Sequence, residues 1–355
     1  MSAPGNPPDQ DPSEPPDSDP DVPDPYVPDP EVPDYSPPDP NYPTDYSDED
    51  MEYDDREGGG SFRRDVEIDA AKEFLTEDFF PRQPDRVFYS QQIQVLVEDA
   101  WAVKRLTREE RPGFFHWITG KALLELGQEG KLESEVRPLG KYRPGASEAG
   151  TRTTGTKIHF YWSLKTRYVA RAIARILKVV REFSAPEVSH AIGNNGEMMF
   201  DAALPKMGFL PRGENVREWN GLKWEKTGEN LDRVFERDGI YYGVEIKNTL
   251  SYIPREELES KLEMCRFLGL VPLFIMRASP KNYNQLVIEG GGGYALIFRW
   301  QLYPQGQEQL VKKVRDTLGI PVDAPRAIAL GTVERFLNWH RWKFRRDGQE
   351  RESDV

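Results

Sequence analysis

The first sixty residues limit what this chain can fold into more than any other feature. They include the run PPDQDPSEPPDSDPDVPDPYVPDPEVPDYSPPDP and close on DDREGGG, and 16 of the chain's 30 prolines lie among them. Proline fixes φ and removes a backbone donor, so neither a helix nor a central strand tolerates that density. Aliphatic side chains are almost absent, so little apolar burial is on offer to offset the entropy of ordering. The stretch holds 19 acidic residues and a single basic one, Arg56, so its charges repel and extend it. Residues 1–62 are therefore expected to be a disordered acidic tail, with an irregular V-P-D-P repeat and a hinge at Gly58–Gly60.

This tail changes the meaning of the net charge. The whole chain carries −13, from 47 basic and 60 acidic residues. With 1 basic and 19 acidic residues, the tail alone supplies −18, which leaves 46 basic against 41 acidic residues, or +5, for the remainder. A mildly basic body is compatible with a polyanionic partner without demanding one. Cys265 is the only cysteine, so a disulfide framework and a cysteine-based zinc site are both excluded. Its place in an apolar helix reads as a buried small hydrophobe. No N-terminal leader pattern is visible, and no apolar run approaches the roughly 20 residues that span a bilayer. The expectation is a reduced, cytoplasmic protein with no membrane partner.

From Val66 onward the pattern is helical, through VEIDAAKEFL, SQQIQVLVEDAWAVKRL with Ser90 as N-cap, and FFHWITGKALLELGQEGKL. In the last of these, Ile118, Ala122, Leu123 and Leu126 fall on one stripe, and Gly127 or Gly130 is the expected stop. The strand-like pieces KLESEV and KIHFYWS flank a segment rich in Arg, Lys, Gly and Thr, and residues 168–183 form a strongly amphipathic helix. After Pro186 helices and strands alternate. GEMMFDAALPKMGF reads as a helix, RVFERDGIYYGVEIKNTL as two strands about an Asp-Gly turn, ELESKLEMCRFLGL as a helix and VPLFIMRA as a buried strand. YALIFRWQLY reads as a further strand, QEQLVKKVRDTLG as a helix and TVERFLNWHRWKFRR as a closing helix. This order argues an α/β domain. Expected boundaries are 63–184 for a mainly helical domain, 185–322 for the α/β domain and 323–355 for a C-terminal helix and tail.

The chemistry centres on the hairpin at Asp238-Gly239. A two-residue loop pairs Arg237 with Ile240, and five pairs further on sets Asp232 opposite Glu245. Opposed like charges on neighbouring strands are destabilising, and a divalent cation between them would offset the repulsion. Side chains two apart share a face, so Glu245 and Lys247 join Asp232, while Tyr242, Val244 and Ile246 face the core. Two carboxylates and an ammonium suit phosphodiester hydrolysis. The carboxylates hold a metal that polarises phosphate and activates water, and the lysine orients that water or stabilises the developing charge.

Asp232 followed by Glu245-Ile246-Lys247 resembles the PD-(D/E)xK pattern of restriction-endonuclease-like nucleases, with Leu231 in place of the proline. The resemblance covers roughly residues 185–320. It implies an α/β fold with a mixed sheet flanked by helices, Mg²⁺ or Mn²⁺ on Asp232 and Glu245, and Lys247 assisting the attacking water. It also implies a further metal ligand, Glu197, from the helix before the hairpin, and a DNA-backbone contact at Lys261; Arg277 and Lys281, which flank the strand VPLFIM, are open to the same reading. The stretch HWITGKALLELGQEGKLESEV resembles the third helix and wing of a winged-helix module. That likeness would turn Thr119, Lys121, Glu125 and Gln128 towards a major groove. It would make the segment from Lys131 to Lys157 a wing that reaches phosphates. In the closing helix, Trp339, His340 and Trp342 interleave with Arg341, Lys343, Arg345 and Arg346 and are read as core anchors. The four histidines show no metal-ligand spacing, and Gly290–Gly293 is a turn rather than a P-loop.

Together these readings describe a metal-dependent DNA endonuclease with catalytic Asp232, Glu245 and Lys247, and DNA contacts at Lys121, Lys131 and Lys261. A homodimer is compatible, since many enzymes of this fold cut both strands as dimers. Two alternatives stand beside it: a DNA-binding regulator or architectural protein on a degenerate nuclease fold, and an RNA-processing nuclease.

Overall fold

A computed structural model describes residues 61–98, 113–140 and 156–344. The expected acidic tail up to residue 60, the centre of the expected wing (141–155), and Arg345 and Arg346 lie outside the described residues.

The N-terminal part is a small helical layer on a three-stranded sheet. Helix α1 (Ser61–Phe74) starts just inside the boundary expected at residue 62 and runs on through a wide turn at Leu75–Phe79. Strand β1 (Val87–Tyr89), helix α2 (Ser90–Leu96), helix α3 (His116–Gln128), strand β2 (Glu133–Pro138) and strand β3 (Lys157–Trp162) follow. The sheet order is β1-β3-β2, antiparallel throughout. The apolar stripe expected on α3 is real, with Ile118, Ala122, Leu123 and Leu126 all buried against Phe88, Ile93 and Tyr161. Each of the buried Ile and Leu side chains contributes about 1.5–3 kcal/mol by leaving water. The helix stops where expected, with Gly130 in the left-handed region at φ +68°.

The remainder is built on a five-stranded sheet. Its elements are α4 (Val169–Phe183), α5 (Pro186–Ala203), β4 (Leu210–Val216), the short ribbon β5 (Glu218–Trp219) with β6 (Leu222–Lys223), β7 (Leu231–Arg237), β8 (Ile240–Lys247), α6 (Arg255–Leu268), β9 (Val271–Met276), α7 (Lys281–Gln285), β10 (Tyr294–Ile297), β11 (Gln301–Leu302), α8 (Glu308–Leu318), β12 (Val322–Asp323) and α9 (Leu330–Lys343). The order is β10-β9-β8-β7-β4, with β4, β7 and β8 antiparallel and β8, β9 and β10 parallel. One face, carrying Phe235, Tyr242, Val244 and Ile246, is covered by Phe200 of α5 and Phe336 of α9. The other face lies under α6, whose Leu258 and Leu262 pack on Phe274 and Met276. The fold is therefore α/β, with a mixed sheet flanked by helices. No described helix is long and apolar enough to cross a membrane.

Packing crosses the boundaries drawn from the sequence. One cluster joins β3 (Ile158, Phe160), α4 (Ile176, Val180) and α8 (Leu310, Val314, Leu318), so residue 184 is no break in the core. Helix α9, placed outside the α/β domain by the expected boundary at residue 322, closes the main sheet face. Glu98 adds a polar joint between the two parts. It accepts a 2.7 Å bond from Arg277 Nη1 and lies 2.8 Å from His116 Nε2, while His116 stacks on Tyr252 at 4.0 Å. Buried charges persist only when partnered in this way. The strand expected over Tyr294–Tyr303 breaks after Ile297. Phe298 turns into the core, and Gln301–Leu302 pairs with β12 instead.

Candidate functional site

The hairpin carries the site. Asp238 (φ +53°) and Gly239 (φ +80°) are both left-handed, which makes the two-residue turn whose twist matches its flanking strands. The register runs from Arg237–Ile240 to Arg233–Val244, as expected. The paired register ends there; beyond it the Asp232 side chain reaches β8, where its Oδ2 accepts the backbone N–H of Ile246, next to Glu245, at 2.7 Å. Glu245, Lys247 and Asp232 share the face under α6, and Tyr242, Val244 and Ile246 share the other.

This face is a closed network of charges. Glu245 is 1% exposed and lies between two ammonium groups, Lys247 at 3.0 Å on Oε1 and Lys261 at 2.6 Å on Oε2. Lys247 also reaches Glu257 of α6 at 2.7 Å, and Lys261 donates to the carbonyl of Asn230. Burial pushes the Glu245 carboxyl up, Lys247 pulls it down and Asp232 pushes it up again, leaving it above the ordinary carboxylate range. Burial likewise raises Asp232, against the opposing effects of the Ile246 N–H, Lys261 and Lys247. Burial pulls Lys247 down, but Glu245 and Glu257 more than reverse it, so Lys247 holds its proton more tightly than a free lysine.

Three expected contacts fall elsewhere. Glu197 lies 3.1 Å from Arg233, which also holds Asp201 at 2.9 Å and Glu214 at 3.5 Å. Neighbouring strand residues point oppositely, so Arg233 turns to α5 while Asp232 turns to α6. Glu197 is near enough to raise the Asp232 carboxyl, yet it is engaged by Arg233 instead of forming a three-carboxylate set. Among the described residues, no group of three or more His, Cys, Asp or Glu is arranged to hold a metal ion. Lys261 is buried against Glu245 and cannot serve as a surface contact for a DNA backbone. Arg277 is likewise buried, on Glu98.

On α3, Thr119 is fully buried and faces the core, whereas a groove-reading residue must be exposed. Lys121 and Lys131 stand outside but pair with acids of the same helix end, Lys121 with Glu125 at 3.8 Å and Lys131 with Glu129 at 2.8 Å. Along α9 the core reading holds for His340, which is buried beside Tyr242, and Trp339 packs on Tyr294, but Trp342 is 71% exposed. Cys265 is buried, with its thiol pushed up to about 12 by burial.

Asp232 and Glu245 offer a donor set of oxygens, the kind a hard divalent cation takes. Asp232 commits one oxygen to Ile246, which leaves Oδ1 for a ligand; Glu245 can join only by releasing a lysine. The donor chemistry thus fits one cation on Asp232, with Glu245 joining once a lysine moves off it. Two important side chains gave no signal in the sequence. Glu257, in the first turn of α6, fixes Lys247, and its spacing from the hairpin depends on the loop between them. Asn248 is buried and ties the end of β8 to the carbonyls of Ile192 and Leu302 at 2.8 and 2.9 Å. No family model, characterised protein or solved structure matches the chain.

Proposed function

We propose that the chain is a metal-dependent endonuclease of the restriction-endonuclease-like kind, acting on DNA. The observation that carries this reading is the meeting of Asp232, Glu245 and Lys247 on one face of adjacent antiparallel strands. The order helix α5, strand pair β7–β8, helix α6 and parallel strand β9 supports it, since the core of that family runs the same way. The order α1-β1-α2-α3-β2-β3, with the sheet arranged β1-β3-β2, supports a winged-helix module ahead of it.

In this reading Asp232 and Glu245 hold Mg²⁺ or Mn²⁺, which when bound polarises a phosphoryl oxygen and lowers the pKa of a water. Lys247 stays protonated between Glu245 and Glu257 and presents a fixed positive charge beside the carboxylates. There it orients the attacking water and stabilises charge developing at phosphorus. Lys261 anchors the Glu245 carboxylate from the α6 side, which makes it a positioning residue.

The test is nicking of supercoiled plasmid with Mg²⁺, Mn²⁺, Ca²⁺ or EDTA. Cutting is expected with Mg²⁺ or Mn²⁺, none with EDTA, and a loss of about 100-fold or more in Asp232→Asn and Lys247→Ala. Retained cutting in either variant overturns the assignment. A second reading, a DNA-binding protein that does not cut, draws on the double lysine clamp, which already neutralises Glu245 without a metal. Binding without cutting, on plasmid, branched DNA, single strands and RNA alike, would favour it.

A further inference from the structure

A second site lies at the start of α4, built from residues the nuclease reading does not use. A cavity of about 940 Å³ opens there, lined by Arg86, Lys165, Arg167, Arg171 and Arg175. Asp85 is the single acid in its lining. Arg171 and Arg175 stand one helical turn apart and so share a face of α4. Elsewhere on the body some exposed cations have acids in reach, as in Lys223–Glu225, Lys226–Glu263 and Lys312–Asp316. Lys165, Arg167, Arg171 and Arg175 form no ion pair with any described residue. Among the described residues Arg86 has only a neutral hydrogen-bond partner, the Gln83 carboxamide at 2.8 Å, and lies over the Phe88 ring at 5.1 Å. Burial, and then the nearness of Arg175, holds its pKa below the ordinary arginine value, so these cations crowd one another.

The cavity also carries an aromatic side chain in an uncommon conformation. Tyr168 is 84% exposed and left-handed, at φ 57° and ψ 31°. A bulky residue there is rare, and such strained positions concentrate at ligand clamps. The segment is held from both sides. The Tyr168 carbonyl accepts the N–H groups of Arg171 and Ala172 at 3.1 Å, and Thr166 Oγ1 donates to the Pro84 carbonyl at 2.8 Å. Helix α4 has no acid in its first turn and no capping side chain, so its positive end faces the same region.

We propose that this cavity binds a single nucleic-acid strand, with its phosphates on the arginines of α4 and a base stacked on Tyr168. Unpaired cations track a backbone, and an exposed aromatic ring gives a stacking platform that accepts any base. The crowding of positive charge is then relieved by the strand's phosphates. The site goes beyond the nuclease reading, since it needs no cleavage and can be measured with EDTA present.

The test uses the full chain and fluorescence anisotropy with labelled single-stranded and duplex 20-mers across a salt series. Arg171→Gln/Arg175→Gln should weaken single-strand binding at least tenfold. It should also flatten the dependence of log affinity on log salt by about 1.4, the change for two lost single-strand phosphate contacts. Tyr168→Ser should weaken single-strand binding with the salt slope unchanged. Lys312→Gln, at an exposed and paired lysine of α8, serves as the control and should change neither. Unchanged affinity and slope in the double variant would overturn the proposal, and a silent Tyr168→Ser would overturn the stacked single strand. Sodium pyrophosphate is the competing probe. If it binds the wild type but not the double variant, while oligonucleotide affinity is the same in both, the cavity takes a small phosphate compound instead.

Discussion

Asp238 tips the hairpin in the left-handed region, and its Oδ2 lies 2.9 Å from His340 Nε2 and 3.2 Å from Arg237 Nε. The bond to His340 is the main reason its carboxyl titrates below the ordinary range; the nearby Arg237 charge adds to it. A lowered folded-state pKa means stabilisation that is fully present above the unfolded value of about 3.9 and is lost as pH falls through the folded one. Asp238→Asn keeps a residue tolerant of positive φ and removes the charge. It should therefore be less stable than wild type at pH 7, with the gap closing below pH 4, as followed by urea unfolding. Asp238→Ala should cost about 1 kcal/mol more from the backbone alone. A gap between wild type and Asp238→Asn that widens on acidification would contradict this account. The same turn explains why the centre of the site was legible. Asp-Gly fixes the loop, the loop fixes the register as far as Arg233–Val244, and Asp232, one residue beyond, bonds the Ile246 N–H between Glu245 and Lys247. The partners of those residues were not legible, because Lys261 and Glu257 are placed by the packing of α6, which no local pattern encodes.

Among elements, α5 meets the end of β8 more closely than any side chain but hydrogen would allow. A Cβ at Gly196 would stand 2.6 Å from the Cβ of Asn248, the residue after Lys247. Alanine is the better helix former by about 1 kcal/mol, yet overpacking costs about 1–3 kcal/mol, so Gly196→Ala should destabilise. The strain would act on Asn248, whose bonds to Ile192 and Leu302 fix the end of β8, so plasmid cutting should fall with stability. Gly193, on the same helix, has open space around it, and Gly193→Ala should stabilise by up to about 1 kcal/mol. Denaturant unfolding of the pair checks both signs; a Gly196→Ala protein as stable as Gly193→Ala would show that the contact is soft. Strand β4 shows the opposite side of legibility. Only Val216 of its seven residues is buried, and a bulge falls between Pro211 and Gly213, so it lacks the alternation that marks a strand. As an edge strand it owes its place to β7. The amphipathic helices α4 and α8 were readable as helices, but their packing against each other across residue 184 was not, since periodicity marks an apolar face without naming what covers it.

At the scale of the whole molecule, charge is partitioned along the chain more sharply than its net value shows. Residues 1–60 carry −18 and the remainder +5, and within the remainder Lys165, Arg167, Arg171 and Arg175, which form no ion pair with a described residue, gather at the α4 cavity. A polyanion approaching the body meets the summed field of both, so the acidic segment should lower its affinity and slow its association. The effect is long-ranged and therefore salt-dependent, with a Debye length of about 30 Å at 0.01 M salt and about 8 Å at 0.15 M. Deleting residues 1–60 should tighten binding of a labelled duplex several-fold at the lower salt, and the gain should shrink as salt rises. The deletion removes no residue of the hairpin, the α4 cavity or any described core cluster, so unfolding of the body should be unaffected. Anisotropy titrations of the full and shortened chains at several salt concentrations measure the difference. Equal affinities at low salt would mean that the acidic segment leaves the field at the binding surface unchanged. A gain that persists at high salt would point to direct contact instead of long-range repulsion.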